Sequence, residues 1–263
     1  MQILYWLACI LLTAVPMGAQ WLNYPSPDTP RTPDGKPNLT APAPKTPDGK
    51  PSLAGIWAPA PLTNLPPRPY GTPNNLLYRL TNGSQISMQP WAEALFKERS
   101  EKNLGGGRPS ERCLPHGIPD AMLVDDFKFV QTPGLTFILF EEFNHFRQIF
   151  TDGRPFPGND PQPTWLGYSI GKWDGDTFVV DSTGFNDQTW LDDSGHPHTD
   201  ALRTTERFRR RDFGHMDLII TIDDPKAYTK PWSVSIPLQL LPDTELIEDI
   251  CENERDASHI NVK

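Results

Sequence analysis

The sequence has few of the residues on which catalytic and metal sites most often depend. Its 263 residues include 3 cysteines and 6 histidines, and no two cysteines stand at the spacing of a zinc site. The chain also lacks a Gly-x-x-x-x-Gly-Lys-Ser/Thr phosphate loop, a Gly-x-Ser-x-Gly turn and a His-Glu-x-x-His helix. These absences exclude any assignment of a reaction from a sequence motif.

Positive charge is also scarce, because 24 Lys and Arg face 33 Asp and Glu, for a net charge of −9. The one basic stretch, which contains Arg207, Arg209 and Arg211, is short and bracketed by acidic residues. We therefore expect no nucleic-acid partner, and we predict that this arginine row lies on the solvated outer face of a strand.

Long apolar runs are absent after the first 20 residues. The run over residues 3–15 is almost wholly apolar, is too short to cross a bilayer and is followed by Gly18 and Ala19. This pattern is typical of a signal peptide, with cleavage near Ala19 or Gln20. We expect a periplasmic or secreted protein that does not insert into a membrane after cleavage.

Two cysteines, Cys113 and Cys251, remain once the leader that carries Cys9 is removed. An oxidising compartment and an even cysteine count favour a disulfide between them, with two buried free thiols as the alternative.

Proline is the residue in excess, since 15 of the 30 prolines fall between residues 21 and 75. This stretch contains Thr-Pro-Asp-Gly-Lys-Pro twice, at residues 32–37 and 46–51. Each copy predicts a turn followed by an apolar anchor, Leu39 or Leu53. We predict a signal peptide over residues 1–20, a proline-rich extended arm over 21–52 and a single β-rich domain over 53–263.

The body of the chain shows one helical pattern and many strand patterns. The helix is predicted over residues 87–103, with Ser87 as its cap and with Trp91, Ala94 and Leu95 on one face. Strands are predicted over residues 127–132, 135–141, 145–151, 166–173, 176–183, 201–210, 215–223, 232–240 and 246–251.

Strands in this number, joined by short connections, predict a mainly β fold with one N-terminal helix. We predict an antiparallel up-and-down meander that closes into a lipocalin-like (calycin-type) barrel, because closure removes exposed edges. A β-sandwich is the alternative.

Histidines and carboxylates are the candidate catalytic residues, because general acid–base chemistry uses these side chains. His145 is next to Glu141 and Glu142 in the sequence, His198 and Asp193 share an acidic loop, and His215 and Glu206 lie on strands. The candidate catalytic set is His145, His198, Glu206 and Asp193.

The candidate ligand-binding residues are one arginine and three aromatic residues: Arg147, Tyr168, Trp173 and Trp190. Arg147 alternates with Phe146, Gln148 and Phe150, so an aromatic core would place Arg147 and His145 outside. A polar barrel interior would instead let Arg147 bind a carboxylate. No cofactor is predicted; His196 and His198, two residues apart, are the candidate ligands if a divalent metal binds.

Several blocks of the sequence together resemble a protein family. They are Thr-Pro-Asp-Gly-Lys-Pro-Ser-Leu-Ala-Gly-Ile-Trp at 46–57, Gly-Lys-Trp-Asp-Gly-Asp-Thr at 171–177, Thr-Gly-Phe-Asn-Asp at 183–187, Gly-His-Pro-His at 195–198 and Thr-Ile-Asp-Asp-Pro at 221–225. The chain resembles a large family of exported bacterial proteins common in environmental genomes. The resemblance implies export and one shared domain over most of residues 46–252, and it supplies no catalytic assignment.

The leading functional hypothesis is an exported β-barrel that binds a small organic ligand in the barrel or at its mouth. The first alternative is a barrel enzyme that performs hydrolase- or lyase-type acid–base chemistry on a small molecule. The second is a structural or surface-interaction protein. The sequence leaves the oligomeric state open.

Overall fold

The fold is a closed barrel of nine β-strands, seen in a computed structural model that describes residues 24–62, 74–102, 107–158 and 162–251. Each strand pairs with the next along the chain, and β9 pairs with β1. The strands are β1 (Gly55–Pro59), β2 (Phe127–Thr132), β3 (Leu135–Phe140), β4 (Phe146–Phe150), β5 (Tyr168–Asp174), β6 (Thr177–Thr183), β7 (Arg203–Arg210), β8 (His215–Asp223) and β9 (Trp232–Leu240). The predicted β-barrel is confirmed.

The barrel differs from the predicted meander at one pair of strands. β4 and β5 are parallel, with Ile149 opposite Ser169 and Phe150 opposite Ile170, whereas the other pairs in the barrel are antiparallel. A parallel pair needs a connection that returns the chain to the end from which the first strand started. Residues 151–167 make that connection.

Two strand predictions at the ends of the domain differ from the structure. β1 was not predicted, because its five residues begin with glycine and end with proline and show no clear alternation. Residues 246–251 have the alternation of a strand but form none. Backbone groups of this segment make hydrogen bonds to side chains instead of to a neighbouring strand. Ile247 N–H donates to the Glu141 carboxylate, and the Asp249 carbonyl accepts from the Asn144 side chain.

The helical prediction is shifted and shortened in the structure. The helix α1 spans Pro90–Lys97 and continues into a π-helical turn, Glu98–Lys102. Ser87 is not its cap, because the helix begins at Pro90 and Gln89 is the N-cap residue. Ser87 precedes the helix, and its carbonyl accepts a 2.8 Å bond from Thr229 N–H. The buried face centres on Ala92, while Trp91 is 44% exposed. Another helix, α2 (Ala121–Val124), precedes β2.

Alternating side chains fill the barrel interior. The inward residues of β8 and β9 are the apolar sets that the sequence pattern predicts. They are Met216, Leu218, Ile220, Ile222, Trp232, Val234, Ile236, Leu238 and Leu240.

Of the two orientations considered for β4, the structure has the one in which the aromatic residues face outward. Arg147 and Ile149 face inward, whereas Phe146 is 58% exposed. The arginine tolerates burial because Glu206 on β7 pairs with it inside the barrel.

Four loops meet at one end of the barrel, which we call the capped end. They are the described parts of residues 60–126 (60–62, 74–102 and 107–126), and residues 141–145, 184–202 and 224–231. These loops contain α1, α2 and most of the buried charged residues that the structure describes outside the barrel interior.

The disulfide Cys113–Cys251 is confirmed and ties the first of these loops to the chain after β9. Among the described residues, no helix has the length and apolar character needed to cross a bilayer. The predicted leader lies outside the described residues.

Residues of the predicted arm lie on the barrel surface. The carbonyls of Leu39 and Ala41 accept 2.7 Å bonds from Gly214 and Phe213 N–H in the β7–β8 turn. Nearer the N-terminus, Arg31 pairs with Asp243 at 2.6 Å.

Candidate functional site

The loop between β6 and β7 is unusual because all of residues 189–198 are buried although many are polar. Asp192 organises this loop. Its Oδ1 accepts bonds of 3.1 Å from the N–H groups of Ser194, Gly195 and His196. Its Oδ2 accepts from Leu76 N–H at 2.8 Å and lies 2.7 Å from Nδ1 of His196. The loop is therefore held by one carboxylate that replaces water as the partner of the buried backbone.

The two histidines of this loop, predicted as metal ligands, contact different neighbours. His196 stacks on Phe96 with ring centroids 4.1 Å apart. His198 places Nε2 2.6 Å from the Thr189 hydroxyl and Nδ1 3.1 Å from the Thr199 carbonyl. Burial lowers the pKa of His198, so its ring is neutral at pH 7. Neither histidine belongs to a cluster of metal-ligating side chains within the described residues.

Asp193 and Trp190, two further candidates, lie in the same loop beside arginines. Arg108 Nη1 is 3.0 Å from Asp193 Oδ1, and Asn74 donates to Oδ2 at 3.0 Å. The guanidinium of Arg99 lies over the Trp190 ring, 4.5 Å from its centroid. Both predicted residues therefore have partners within the protein.

Arg147 and Glu206 form a buried pair inside the barrel. Two guanidinium nitrogens of Arg147 donate to the Glu206 carboxylate at 2.8 and 2.6 Å. The same group also donates to Ser169 and Ser182 at 3.0 and 2.7 Å, so every guanidinium nitrogen has a partner. These contacts use four of the five guanidinium N–H donors, and both carboxylate oxygens of Glu206 accept from Arg147. Arg147 is therefore already paired with a carboxylate of the protein.

A second charged cluster, centred on His116, lies at the capped end. Its Nδ1 is 2.5 Å from Asp120 Oδ2, and its Nε2 is 3.0 Å from Glu142. Burial opposes the imidazolium, but the charge of Asp120 and the bonds to Asp120 and Glu142 raise the pKa of His116 to about 10. Burial raises the pKa of Asp120 to about 7 despite the imidazolium, with smaller contributions from Asp193 and Asp192. At neutral pH the ring is therefore an imidazolium between two carboxyl groups.

The turn that carries Glu142 has a strained backbone. Phe143 and Asn144 have φ of 59° and 53°, the left-handed region that a bulky residue such as Phe seldom adopts. Asp249 holds the turn, because its carboxylate accepts from Phe143 N–H at 3.3 Å and its carbonyl accepts from Asn144 at 2.6 Å. The turn carries Glu142, which contacts His116, and it ends at His145 immediately before β4.

An aromatic cavity of about 480 Å³ lies next to this turn, on the outer face of β4. Tyr168 stacks on Phe150 with centroids 5.0 Å apart, and Phe146 and Trp165 line the same cavity. The other lining residues are Pro115, Asn144, His145, Arg147, Gln148, Thr164, Leu166 and Gly167.

His145 also lines a smaller cavity with His116 and Glu142. Burial and the charge of His116 lower the pKa of His145, so its imidazole is neutral at pH 7.

The predicted site residues therefore fall into separate groups. His145 and Tyr168 border the aromatic cavity, Asp193, His198 and Trp190 lie in the buried loop, and Glu206 is inside the barrel. Trp173 lies near the β5–β6 turn, where it packs on Phe178 with centroids 5.3 Å apart. His215, the other histidine considered, lies 2.7 Å from Asp212 near the β7–β8 turn.

Sequence reasoning missed His116 and Asp120 and gave Glu142 only a supporting role. His116 and Asp120 are four residues apart, in the spacing His-x-x-x-Asp. Side chains at this spacing come into contact only where the backbone between them turns, as it does over residues 118–120.

Comparison with known proteins gives no relative. No family model, curated protein or solved structure matches this chain.

Proposed function

We propose that this protein binds a small organic ligand in the aromatic cavity beside the capped end of the barrel. The observation that carries the proposal is a cavity of about 480 Å³ with Phe146, Phe150, Trp165 and Tyr168 in its lining. This volume is within the range of roughly 300–1,000 Å³ that small-molecule sites occupy. Phe146, the first residue of β4, is 58% exposed, so a ligand that covers this ring gains free energy by removing its apolar surface from water.

The lining indicates a ring compound without strong charge. Aromatic faces supply stacking surfaces, while Asn144, Gln148 and the neutral imidazole of His145 supply hydrogen bonds. Arg154 lies over the Phe150 ring, but its guanidinium is bonded to Asp152. The charged group nearest the stacked rings is therefore already neutralised by a partner.

The cavity on the outer face of β4 is a better location for a ligand than the barrel interior. Inward side chains such as Phe127, Phe129 and Phe208 are fully buried and contact one another. The buried Arg147 and Glu206 occupy the space beside them. A barrel filled in this way resembles the side-chain-filled class of small barrels and not the hollow class.

Ring-compound binding can be tested through Trp165, whose indole N–H gives its own signal in ¹⁵N NMR spectra. We expect ring fragments to shift this signal, and we expect Phe146→Ala to weaken binding about tenfold, because a stacking surface is lost. Ile219→Ala is the matched control, since Ile219 is an exposed apolar residue on β8, distant in sequence from the cavity. If no fragment shifts the signal, or if both variants bind equally well, the proposal fails.

A second candidate function, an acid–base enzyme, is favoured by the state of His145. Its ring is neutral at pH 7 and lines the cavity, so it can accept a proton from a bound substrate. A panel of chromogenic esters and glycosides tests this hydrolase-type candidate. Activity that His145→Gln abolishes and His215→Gln retains would support it, whereas equal activity in both variants would contradict it.

Export to the periplasm or the medium also stays part of the proposal. The Cys113–Cys251 disulfide supports it, because disulfides persist in oxidising compartments. The blocks that resemble the exported bacterial family support it as well. Mass spectrometry of the intact protein from its native host would give a mass without residues 1–19 or 1–20, and an uncleaved chain would count against it.

A further inference from the structure

We propose that His116, Asp120 and Asp193 form a binding site for a divalent first-row metal ion, with Zn²⁺ the best match. One potential ligand atom from each residue lies within 4.8 Å of the other two. An imidazole nitrogen and two carboxylate oxygens are a common ligand set for Zn²⁺, with bonds of about 2.0–2.2 Å. The cluster combines ligands from two loops of the capped end, residues 60–126 and 184–202.

One carboxyl oxygen of the cluster has no partner in the described part of the protein. Asp120 is 96% buried, since 4% of its surface is exposed, and its Oδ1 has no hydrogen-bond partner among the described residues. Asp193 is buried as well, and its Oδ1 lies 3.0 Å from Arg108 Nη1, its ion-pair partner. A buried carboxylate oxygen without a partner costs free energy, so Asp120 Oδ1 indicates an additional ligand.

Space for a single ion is present beside His116 and Asp120, two of the three proposed ligands. A cavity of about 10 Å³, lined by His116, Asp120, Arg108 and Trp190 among others, lies at this position. That volume is about one water-sized sphere, which fits an ion and excludes an organic molecule.

Glu142 gives His116 the outer contact that metal-binding histidines usually have. The Nε2 atom of His116 is 3.0 Å from the Glu142 carboxylate, on the opposite side of the ring from Asp120. Metal-ligating imidazoles commonly donate their second N–H to a carboxylate, which fixes the ring and makes it a stronger base. We therefore assign Nδ1 as the metal ligand and Nε2–H as the donor to Glu142.

Metal binding at this site exchanges one proton for the ion. The ion takes the place of the Nδ1 proton of the His116 imidazolium, and that proton leaves to solvent. Asp120 contacts the ion through Oδ1, the oxygen that has no hydrogen-bond partner among the described residues. The cluster gains one positive charge, because a 2+ ion enters and one proton leaves. Arg108 keeps its contact with Asp193 and neutralises part of its charge.

A second acidic cluster provides the matched control. Asp125, Asp126 and Glu141 also offer three ligand atoms within 4.8 Å of one another, but all three are oxygens. No side-chain oxygen of these residues is both buried and unsatisfied. Nonspecific attraction of cations to carboxylates would act on this cluster as much as on the His116 cluster.

Equilibrium dialysis of the chelator-treated protein against Zn²⁺ tests the proposal. We expect one tightly bound equivalent, at least tenfold weaker affinity in Asp120→Asn and unchanged affinity in Asp126→Asn. Binding of less than 0.2 equivalent (on the order of background) by the wild-type protein would overturn the site. Equal affinity in all three proteins, or loss only in Asp126→Asn, would overturn it as well.

A measurement on the wild-type protein keeps the test decisive if Asp120→Asn fails to fold. Long-range ¹H–¹⁵N NMR spectra of the histidine rings report each nitrogen separately. Zn²⁺ should shift Nδ1 of His116 and leave both nitrogens of His215 in place. A titration in which His116 does not respond, or in which His215 responds equally, contradicts the assignment.

Discussion

Arg147 shows how a charged side chain can be accommodated inside a β-barrel. Four hydrogen bonds to Glu206, Ser169 and Ser182 join β4 to β5, β6 and β7. Removing one partner of a buried pair leaves the other charge without compensation, which is the expensive case. The pair therefore ties the parallel strands β4 and β5 to the antiparallel part of the wall.

We predict that Arg147→Met lowers the free energy of unfolding by about 3–5 kcal/mol, because Glu206 is then buried without a counter-charge. The double variant Arg147→Met/Glu206→Leu should lose less than the single variant, since no charge remains inside. Urea unfolding of the three proteins measures both quantities. A single variant within about 1 kcal/mol of the wild type, or a double variant less stable than the single one, would contradict the prediction.

The sequence could predict which residues alternate on β4 but not which set faces inward. Phe146, Gln148 and Phe150 form one set and His145 and Arg147 the other, as the period of two requires. The direction depends on Glu206, which is 59 residues from Arg147 in the sequence. No local pattern contains that partner.

At the scale of elements, the disulfide joins two segments that each contribute to the candidate site. Cys113 is three residues before His116, and Cys251 is two residues after Asp249, which holds the Glu142 turn. The crosslink therefore constrains both sides of the His116–Glu142 contact. Its sequence separation of 138 residues also restricts the unfolded chain strongly.

We predict that the double variant Cys113→Ser/Cys251→Ser is less stable by about 2–5 kcal/mol. The Glu142 turn should loosen at the same time, because Asp249 is no longer anchored nearby. Urea unfolding gives the stability, and amide hydrogen exchange of Asn144 reports the turn. Wild-type protein under reducing conditions is the control and should behave like the variant. Unchanged hydrogen exchange at Asn144 in the variant would show that the Glu142 turn does not depend on the disulfide.

Strand bounds were predictable where alternation was long and clean. β2, β8 and β9 match the predicted residues, and the disulfide follows from the cysteine count and the compartment. β1 and residues 246–251 were not predictable, because a strand needs a neighbour and the sequence of a short segment does not show one. The His116 cluster was missed for the same reason, since Asp193 comes from a distant loop.

At the scale of the whole molecule, buried histidines couple the stability of the protein to pH. Burial lowers the pKa of His198 in the folded protein below its value of about 6.5 in the unfolded chain. At a pH between these two pKa values, the unfolded chain binds more protons than the folded protein. Stability from this group is therefore complete above about pH 6.5 and is lost as the pH falls. Asp224 and Arg99 are the charged groups that most influence the ring.

We predict that the stability of His198→Gln falls less than that of the wild type when the pH is lowered from 7.5 to 5. These two pH values lie about one unit or more on either side of 6.5, the approximate pKa of histidine in the unfolded chain. Glutamine keeps a polar contact with Thr189 but does not titrate. Thermal unfolding of both proteins across this range measures the difference. Parallel pH profiles for the two proteins would show that His198 contributes no proton linkage.

The parallel pair β4–β5 follows from the number of strands in the barrel. In a closed barrel, every pair of neighbouring strands can be antiparallel only if the number of strands is even. With nine strands, one neighbouring pair must be parallel, and the chain must supply a crossover such as residues 151–167. Eight strands could close without either feature.

The aromatic cavity is lined by the residues on both sides of that pair and by the end of the crossover. The odd number of strands, to which the short strand β1 contributes, therefore places a parallel seam in the barrel wall beside the aromatic cavity.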